Sequence, residues 1–201
     1  MARAGDEQST SEGLRERKRR ETAQRIKEIG IRLFMERGYA ATTLEDIAAE
    51  AGISRRTFFY YYKSKDDILL SMQSGTGDVY AAALRETPAG KSPLEAVRDA
   101  ALRVVAPFPL DELLALDRLM RSSDAVQARK AASYIQHEQT VLAALREKWP
   151  DPEREAALRW IAMLAIGSLR LSLEAFGREN GKRPLVDLVR ESFDAWEGEF
   201  Q

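Results

Sequence analysis

The residues with the most evident chemistry lie in one short run, SRRTFFYYYKS, at residues 54–64. Ser54 is followed by the guanidinium groups of Arg55 and Arg56 and then, after Thr57, by five aromatic side chains. A guanidinium group forms paired hydrogen bonds with guanine O6 and N7, or with phosphate oxygens. For Arg56 the base and the phosphate are equally good partners. Arginines beside a row of aromatic residues therefore indicate a surface that contacts nucleic acid.

Two short predicted helices would position this run. Thr43 is expected to cap the first helix, with Asp46 three residues later in an approximate capping box. Ala48 is small enough to let two helices approach closely. Gly52 supplies a turn residue that tolerates positive φ, and Ser54 is expected to cap the second helix. The pattern predicts a helix-turn-helix, whose second helix enters the major groove of DNA.

The composition along the chain predicts three regions. Residues 1–13 are polar and acidic and predict a disordered tail, residues 14–69 a DNA-binding domain, and residues 70–201 a helical body. Apolar residues at helical spacing place the support helix of the second region at Glu21–Arg37. Residues 14–65 carry 13 Lys and Arg against 7 Asp and Glu, although the formal net charge of the chain is -1. This asymmetry is typical of a protein in which one domain meets phosphates.

The segment from Arg25 to Leu69 resembles the DNA-binding domain of the tetracycline-repressor (TetR) family of bacterial regulators. The resemblance is carried by the order of its motifs, RLFMERGY, TTLEDIA, AGIS, an aromatic third helix and SK. It implies a ligand-responsive repressor that binds a palindromic operator as a homodimer and is released by a small apolar or acyl-type effector. The alternative is a DNA-binding regulator without a small-molecule ligand, constitutive or controlled by a protein partner.

The resemblance also implies which side chains meet DNA. Phe59 stands where the family most often has a tyrosine, so a hydroxyl contact is lost there, and Tyr60 and Tyr61 are expected to replace it in part. Phe58 and Tyr62 are expected to point into the core. The residues expected to contact DNA are Thr43, Ser54, Arg55, Arg56, Thr57, Phe59, Tyr60, Tyr61 and Lys65.

The rest of the chain is predicted to be helical, because no run alternates as a strand does. The predicted fold class is all-α, with about nine helices. One long helix is expected at Lys65–Glu86 and another, apolar on two faces, at Glu153–Gly177. A helix that is apolar on two sides must be covered on two sides. A homodimer interface is therefore expected at Trp160, Leu164, Leu171, Leu188, Phe193 and Trp196, with packing inside one subunit as the alternative.

Family resemblance places an effector cavity among the helices between Lys65 and Gly177. Its expected lining is Phe108, Met120, Tyr134, Met163, Gly167 and Arg170. Arg170 interrupts an apolar run, and a buried charge needs a partner. Three roles remain open for it: contact with an acidic ligand group, a pair across the dimer with a glutamate such as Glu174, or extension to solvent.

Composition excludes several other classes. The chain has no cysteine and one histidine, His137, so thiolate chemistry is impossible, and neither a metal site nor a cofactor is expected. No triad-like spacing of catalytic residues occurs, which predicts a protein that is not an enzyme. The N-terminal residues lack the apolar core of a signal peptide, and the apolar run at residues 160–173 is too polar to span a bilayer. A cytoplasmic protein with no membrane partner is expected.

Overall fold

The computed structural model describes the backbone of residues 4–72, 74–107 and 109–199 and the side chains of residues 13–72, 74–107 and 109–198. These residues form ten α-helices and one 3-10 helix, Pro152–Arg154, with no strand among them, so the predicted all-α fold is confirmed. The helices are α1 (Ala4–Arg37), α2 (Leu44–Glu50), α3 (Arg55–Tyr61), α4 (Lys65–Leu70), α5 (Thr76–Arg85), α6 (Pro93–Val105), α7 (Leu110–Met120), α8 (Asp124–Lys148), α9 (Glu155–Arg178) and α10 (Leu185–Glu199).

Helix α1 begins 17 residues before the predicted start at Glu21, since it spans Ala4–Arg37. Residues 4–13, for which composition predicted a disordered tail, are helical backbone, and residues 1–3 lie outside the described part of the chain. The segment before Glu21 is rich in arginine, lysine and glutamate, which have high helix propensity. The buried side chains Ile26, Leu33 and Phe34 all belong to the second half of the helix.

The chain divides into two compact units, residues 1–72 and 73–201. In the first unit, α2 and α3 are joined by a tight turn at Gly52, whose φ of 65° is favourable for glycine. The N–H of Ile53 donates to the Ala48 carbonyl at 3.0 Å and closes the turn. Ile47 and Phe58, one from each helix, have no exposed surface. The local sequence pattern and the observed helix-turn-helix agree.

The single long helix expected at Lys65–Glu86 is a wrong prediction. The structure has two helices there, α4 and α5, which end at Leu70 and begin at Thr76. At the break, the Ser71 hydroxyl donates to the Ile68 carbonyl at 2.7 Å, a local bond that competes with helix propagation. Gly75 follows and has low helix propensity.

The second unit is built around buried apolar side chains of α5, α6, α8, α9 and α10. Many of them are alanines, such as Ala81, Ala100 and Ala165, which let helix axes approach closely. Tyr80 lies at the centre and donates its hydroxyl hydrogen to the Val97 carbonyl at 2.6 Å. Complete burial raises the pKa of Tyr80 far above its usual range, so the hydroxyl stays protonated and the buried polar group is satisfied.

Two residues expected at a dimer interface belong to this core. Leu188 is 4% exposed and Phe193 is 1% exposed, so neither has surface left for a partner. Their side chains point from α10 toward the other helices of the same unit. At these two positions the side chains pack within one chain, as the alternative describes.

Helix α9 covers part of this core. Together with the 3-10 helix it forms Pro152–Arg178, the one segment in the described part of the chain that is long and apolar enough to cross a membrane by composition. Leu158, Ala165 and Phe176 on this segment are buried against other helices. Since core helices of soluble proteins have the same composition, this composition alone does not show that the segment spans a membrane.

Gly77 marks a close approach of α5 to α8. A Cβ atom on Gly77 would lie 3.0 Å from His137 Nδ1 and 3.1 Å from His137 Cα. Because His137 Cα belongs to the backbone of α8, it cannot move away from the added Cβ atom by side-chain rotation. His137 is itself buried, which lowers its pKa. The residues that the structure describes contain no group of three or more potential metal ligands around this histidine or elsewhere.

Gly77→Ala should destabilise the second unit. The added methyl group overpacks the contact between α5 and α8 at a cost of about 1–3 kcal/mol, which exceeds the gain of up to ~1 kcal/mol in helix propensity. Urea unfolding followed by circular dichroism measures the difference. Gly75→Ala is the matched control, because a Cβ atom there meets nothing within 4 Å. Equal stability of the two variants would contradict the close approach.

Candidate nucleic-acid interface and ligand pocket

Helix α3 presents one polar and aromatic face to solvent. Arg55 and Arg56 are exposed in its first turn, and Phe59 and Tyr60 follow with 43% and 64% of their surface exposed. Phe58 lies on the opposite side with no exposed surface. These exposed residues are among those expected to meet DNA, and they share one helix surface.

Arg55 is held in place within the first unit. Its Nη1 lies 3.0 Å from Glu45 Oε1 on α2, and its Cζ lies 5.6 Å from the centre of the Phe59 ring. Both partners of the ion pair are mostly exposed, so the pair contributes between 0 and about 1 kcal/mol. Such a weak contact orients the guanidinium group and still leaves it able to exchange Glu45 for a base or a phosphate. The sequence interpretation missed Glu45.

Two expected DNA contacts, Thr43 and Ser54, cap helices, and a third, Thr57, donates to one of these caps. The Thr43 hydroxyl donates to Asp46 Oδ2 at 2.6 Å, and the Thr43 N–H donates to the same oxygen at 2.9 Å. These bonds lower the pKa of the Asp46 carboxyl group. At α3, the Ser54 hydroxyl accepts from the Thr57 N–H at 3.1 Å, and the two hydroxyl groups lie 2.8 Å apart. The cap uses both donors of Thr43, its N–H and its hydroxyl group. The bond between the Ser54 and Thr57 hydroxyl groups uses one of their two hydroxyl hydrogens, so the other can donate to a further acceptor.

Lys65 makes internal contacts that the sequence did not indicate. Its ammonium group donates to the Tyr39 carbonyl at 2.7 Å and to the Thr42 carbonyl at 3.0 Å, and it lies 4.3 Å from the centre of the Tyr39 ring. It thereby ties the start of α4 to the connector between α1 and α2. A phosphate contact at Lys65 would use the remaining ammonium hydrogen.

A groove in the first unit runs between α1 and α3. The guanidinium carbon of Arg19 lies 5.3 Å from the centre of the Tyr60 ring, a distance at which a cation and an aromatic face attract. The groove has a volume of about 630 Å³ and is lined by Gly13, Arg15, Glu16, Lys18, Arg19, Thr22, Tyr60 and Tyr61. Basic side chains of α1 and two tyrosines of α3 are thus brought together.

The second unit contains a separate pocket of about 270 Å³ among α7, α8 and α9. Its lining is largely charged and consists of Asp117, Arg121, Gln127, Lys130, Ala131, Tyr134, Arg170, Leu173 and Glu174. Arg170 pairs with Glu174 of the same helix at 2.9 Å, whereas the glutamate pair expected for it crosses a dimer interface. Burial raises the pKa of Tyr134 to about 12.

Of the residues expected to line a cavity, the structure brings Tyr134 and Arg170 together in this pocket. Met120 is buried in the second unit and Met163 is largely exposed, and neither lines this pocket; nor does Gly167. Phe108 lies outside the described residues. Sequence reasoning missed the charged lining, although pairs of polar residues four apart, such as Asp117 and Arg121, carry its signal.

The outward side of α9 is apolar and uncovered within one chain. Trp160 is 65% exposed and Leu171 is 51% exposed, and Met163 and Gly167 lie between them on the same side of the helix. Of the other residues expected at a dimer interface, Leu164 and Trp196 are half-buried. We call Trp160, Met163, Leu164, Gly167 and Leu171 the outer face of α9.

Comparison with known proteins identifies the first unit. Residues 28–72 match the tetR family of bacterial regulatory proteins. This part of the chain belongs to the TetR family. The match covers the end of α1, the helix-turn-helix and α4, whereas the pocket and the outer face of α9 lie beyond it.

Individual relatives agree with this assignment. The chain is 36% identical over 105 residues to the HTH-type transcriptional regulator TcmR of Streptomyces glaucescens. The aligned region covers 52% of this chain and 46% of that protein. It is 40% identical over 81 residues to the uncharacterized regulator YerO of Bacillus subtilis, covering 39% and 28% of the two chains. These matches span less than half of either relative.

A solved TetR-family structure matches over both units. Thermus thermophilus FadR, a transcriptional repressor solved in complex with lauroyl-CoA, superposes with a TM-score of 0.63. The two sequences are 26% identical, and the match covers 89% of this chain and 95% of that one.

Lys65→Met should destabilise the TetR-family domain by about 2 kcal/mol, since charge-assisted hydrogen bonds to two carbonyl groups are lost. Hydrogen exchange of the peptide spanning residues 38–46, measured by mass spectrometry, should become faster. Lys63→Met is the control, because it removes the same charge from an exposed side chain. If Lys65 served only to contact phosphate, exchange would be unchanged and only DNA affinity would fall.

Proposed function

We propose that this TetR-family protein is a transcriptional repressor that reads a palindromic operator with α3. The observation that carries the proposal is the exposed pair Arg55 and Arg56 at the start of a capped second helix of a helix-turn-helix. In this motif the first residues of the second helix meet base edges in the major groove. The arginines of the groove beside Tyr60 would add phosphate contacts at its border.

The aromatic residues of α3 would complete the contact. Phe59 has no hydroxyl group and offers apolar contact to a thymine methyl group. Tyr60 keeps an exposed hydroxyl one position further along the helix. Sequence discrimination would therefore rest mainly on Arg55 and Arg56.

A homodimer would provide the second half-site contact. The helix α3 has seven residues and reads few base pairs, whereas two copies one helical turn of DNA apart, about 34–36 Å, read a palindrome. A second copy of this chain is the occupant that we propose for the outer face of α9. The face is apolar from Trp160 to Leu171, and a two-fold axis would place it against itself, apolar surface on apolar surface.

A small-molecule effector would control DNA binding. The pocket among α7, α8 and α9 provides a site, and Thermus thermophilus FadR, a repressor of similar fold, was solved with lauroyl-CoA. An acyl-type effector that binds better to the form unable to fit the operator would release the protein. Along the chain, the pocket is linked to α3 through the break between α4 and α5, not through one continuous helix.

Arg55→Ala should abolish discrimination at one base pair of each half-site. An operator is first selected from random duplexes with the wild-type protein. Fluorescence anisotropy then compares it with a duplex in which one guanine of each half-site is changed. The wild-type preference per half-site should be about five- to 150-fold, corresponding to ~1–3 kcal/mol for a bidentate contact.

The matched control for this experiment is Lys63→Ala, which removes the same charge and should weaken both duplexes equally. Failure of the wild-type protein to select any palindrome would contradict the proposed function. An unchanged preference in Arg55→Ala would assign the reading role to another residue.

The double variant Trp160→Glu, Leu171→Glu should be monomeric. Four carboxylates would then face one another across the proposed interface without partners, which is strongly unfavourable. Sedimentation equilibrium at micromolar concentration measures the mass, and operator affinity should fall with it. Val79→Glu changes an equally exposed apolar residue on α5 and should leave the dimer intact. A monomeric wild-type protein would contradict the assignment of this face.

A further inference from the structure

The charges that line the pocket among α7, α8 and α9 do not balance. Arg121, Lys130 and Arg170 contribute three positive charges, and Asp117 and Glu174 contribute two negative ones. Each carboxylate already has a guanidinium partner. Asp117 Oδ2 lies 2.8 Å from Arg121 Nε, and Glu174 Oε1 lies 2.9 Å from Arg170 Nη1. The surplus positive charge therefore belongs to Lys130.

Lys130 projects from α8 into this pocket. Within the part of the chain that the structure describes, no carboxylate lies within 4.0 Å of its ammonium group and no hydrogen bond reaches that group. Asp117 and Glu174 raise its pKa at longer range, and Arg121 lowers it. Burial outweighs these charges and lowers the pKa of Lys130 below its usual value. A partly buried cation without a partner is unfavourable in the free protein and is relieved by an anion.

Neighbouring groups can add hydrogen bonds to the same anion. Burial raises the pKa of Tyr134 to about 12, so its hydroxyl group is protonated at neutral pH and can donate. The two ion pairs in the pocket use one nitrogen of Arg121 and one of Arg170, and each guanidinium has five N–H donors. Ala131, Leu173 and the Tyr134 ring supply apolar wall.

We propose that this pocket binds the anionic end of a small organic acid, with the Lys130 ammonium group as the main partner of its carboxylate or phosphate. The inference rests on the effector-controlled function proposed above and names the chemical class of the effector. Of the two effector types expected, small apolar and acyl-type, it favours the second, because a purely apolar molecule would leave Lys130 unpaired. A volume of about 270 Å³ limits the enclosed part to a head group and a short chain.

Three probes with the same hydrocarbon chain length and different head groups test this proposal. Octanoate, octyl phosphate and 1-octanol are titrated into the full-length protein without DNA, with isothermal calorimetry as the readout. At least one of the two anions should bind at least tenfold more tightly than the alcohol. The stronger of the two anions tells whether the natural head group is a carboxylate or a phosphate.

Variants at Lys130 assign the effect to its charge. Lys130→Met keeps the length and apolar stem of the side chain, and it should lose about tenfold or more of the anion affinity, as expected for a lost charge-assisted hydrogen bond. Lys130→Arg should bind the anion within a few-fold of wild type. Lys182→Met removes a charge from an exposed lysine and should change nothing. A melting temperature of Lys130→Met at or above that of wild type shows that the variant is folded.

Three outcomes would overturn the proposal: no binding of either anion at millimolar concentration, equal affinity for 1-octanol, or full anion affinity in Lys130→Met. Operator binding is measured separately by anisotropy on the same preparations. Loss of operator selection with intact anion binding would refute the regulator and leave the pocket assignment standing. Intact operator selection without anion binding would refute only the pocket assignment.

Discussion

The burial of Phe58 determines which residues of α3 face outward. Phe58 has no exposed surface, and Tyr62, four residues later, donates its hydroxyl hydrogen to the Ala23 carbonyl of α1 at 3.0 Å. Phe58 inside the short helix and Tyr62 directly after its last residue anchor α3 at two points, which prevents rotation of the helix about its axis. Arg55 and Phe59 must therefore lie on the solvent side. The proposed reading of DNA depends on this packing, since Arg55 itself makes only a weak ion pair within the unit.

The second unit follows a different constraint, which is the division of α9 into two sides. Leu158 and Ala165 on one side are buried among neighbouring helices, and Trp160 and Leu171 on the other are exposed. Covering such an apolar face is favourable in water, and the proposed second copy would do so symmetrically. In the second half of this helix, Arg170 and Glu174 form an ion pair that lines the charged pocket. One helix thus serves both proposed roles of the unit.

Local patterns in the sequence predicted much of the first unit. The caps at Thr43 and Ser54, the positive φ at Gly52 and the burial of Phe58 follow from residue types at fixed spacing, because each depends on neighbours within a few positions. The contacts of Lys65 with the connector near Tyr39 were not predictable in the same way. They join residues 26 positions apart, and no local rule relates such residues.

By itself, the sequence determined the all-α class, the helix-turn-helix and the TetR-family character of the first unit, since periodicity, capping and turn chemistry are local. Only the tertiary structure decided that α4 and α5 are separate, that Leu188 and Phe193 are core residues, and that Lys130 enters a charged pocket. An apolar pattern shows that a helix has a face to cover, and packing alone decides what covers it. Nothing in the local sequence marks Lys130. Its proposed role depends on the absence of a carboxylate partner in the described part of the pocket among α7, α8 and α9, and only the packing of these helices reveals that.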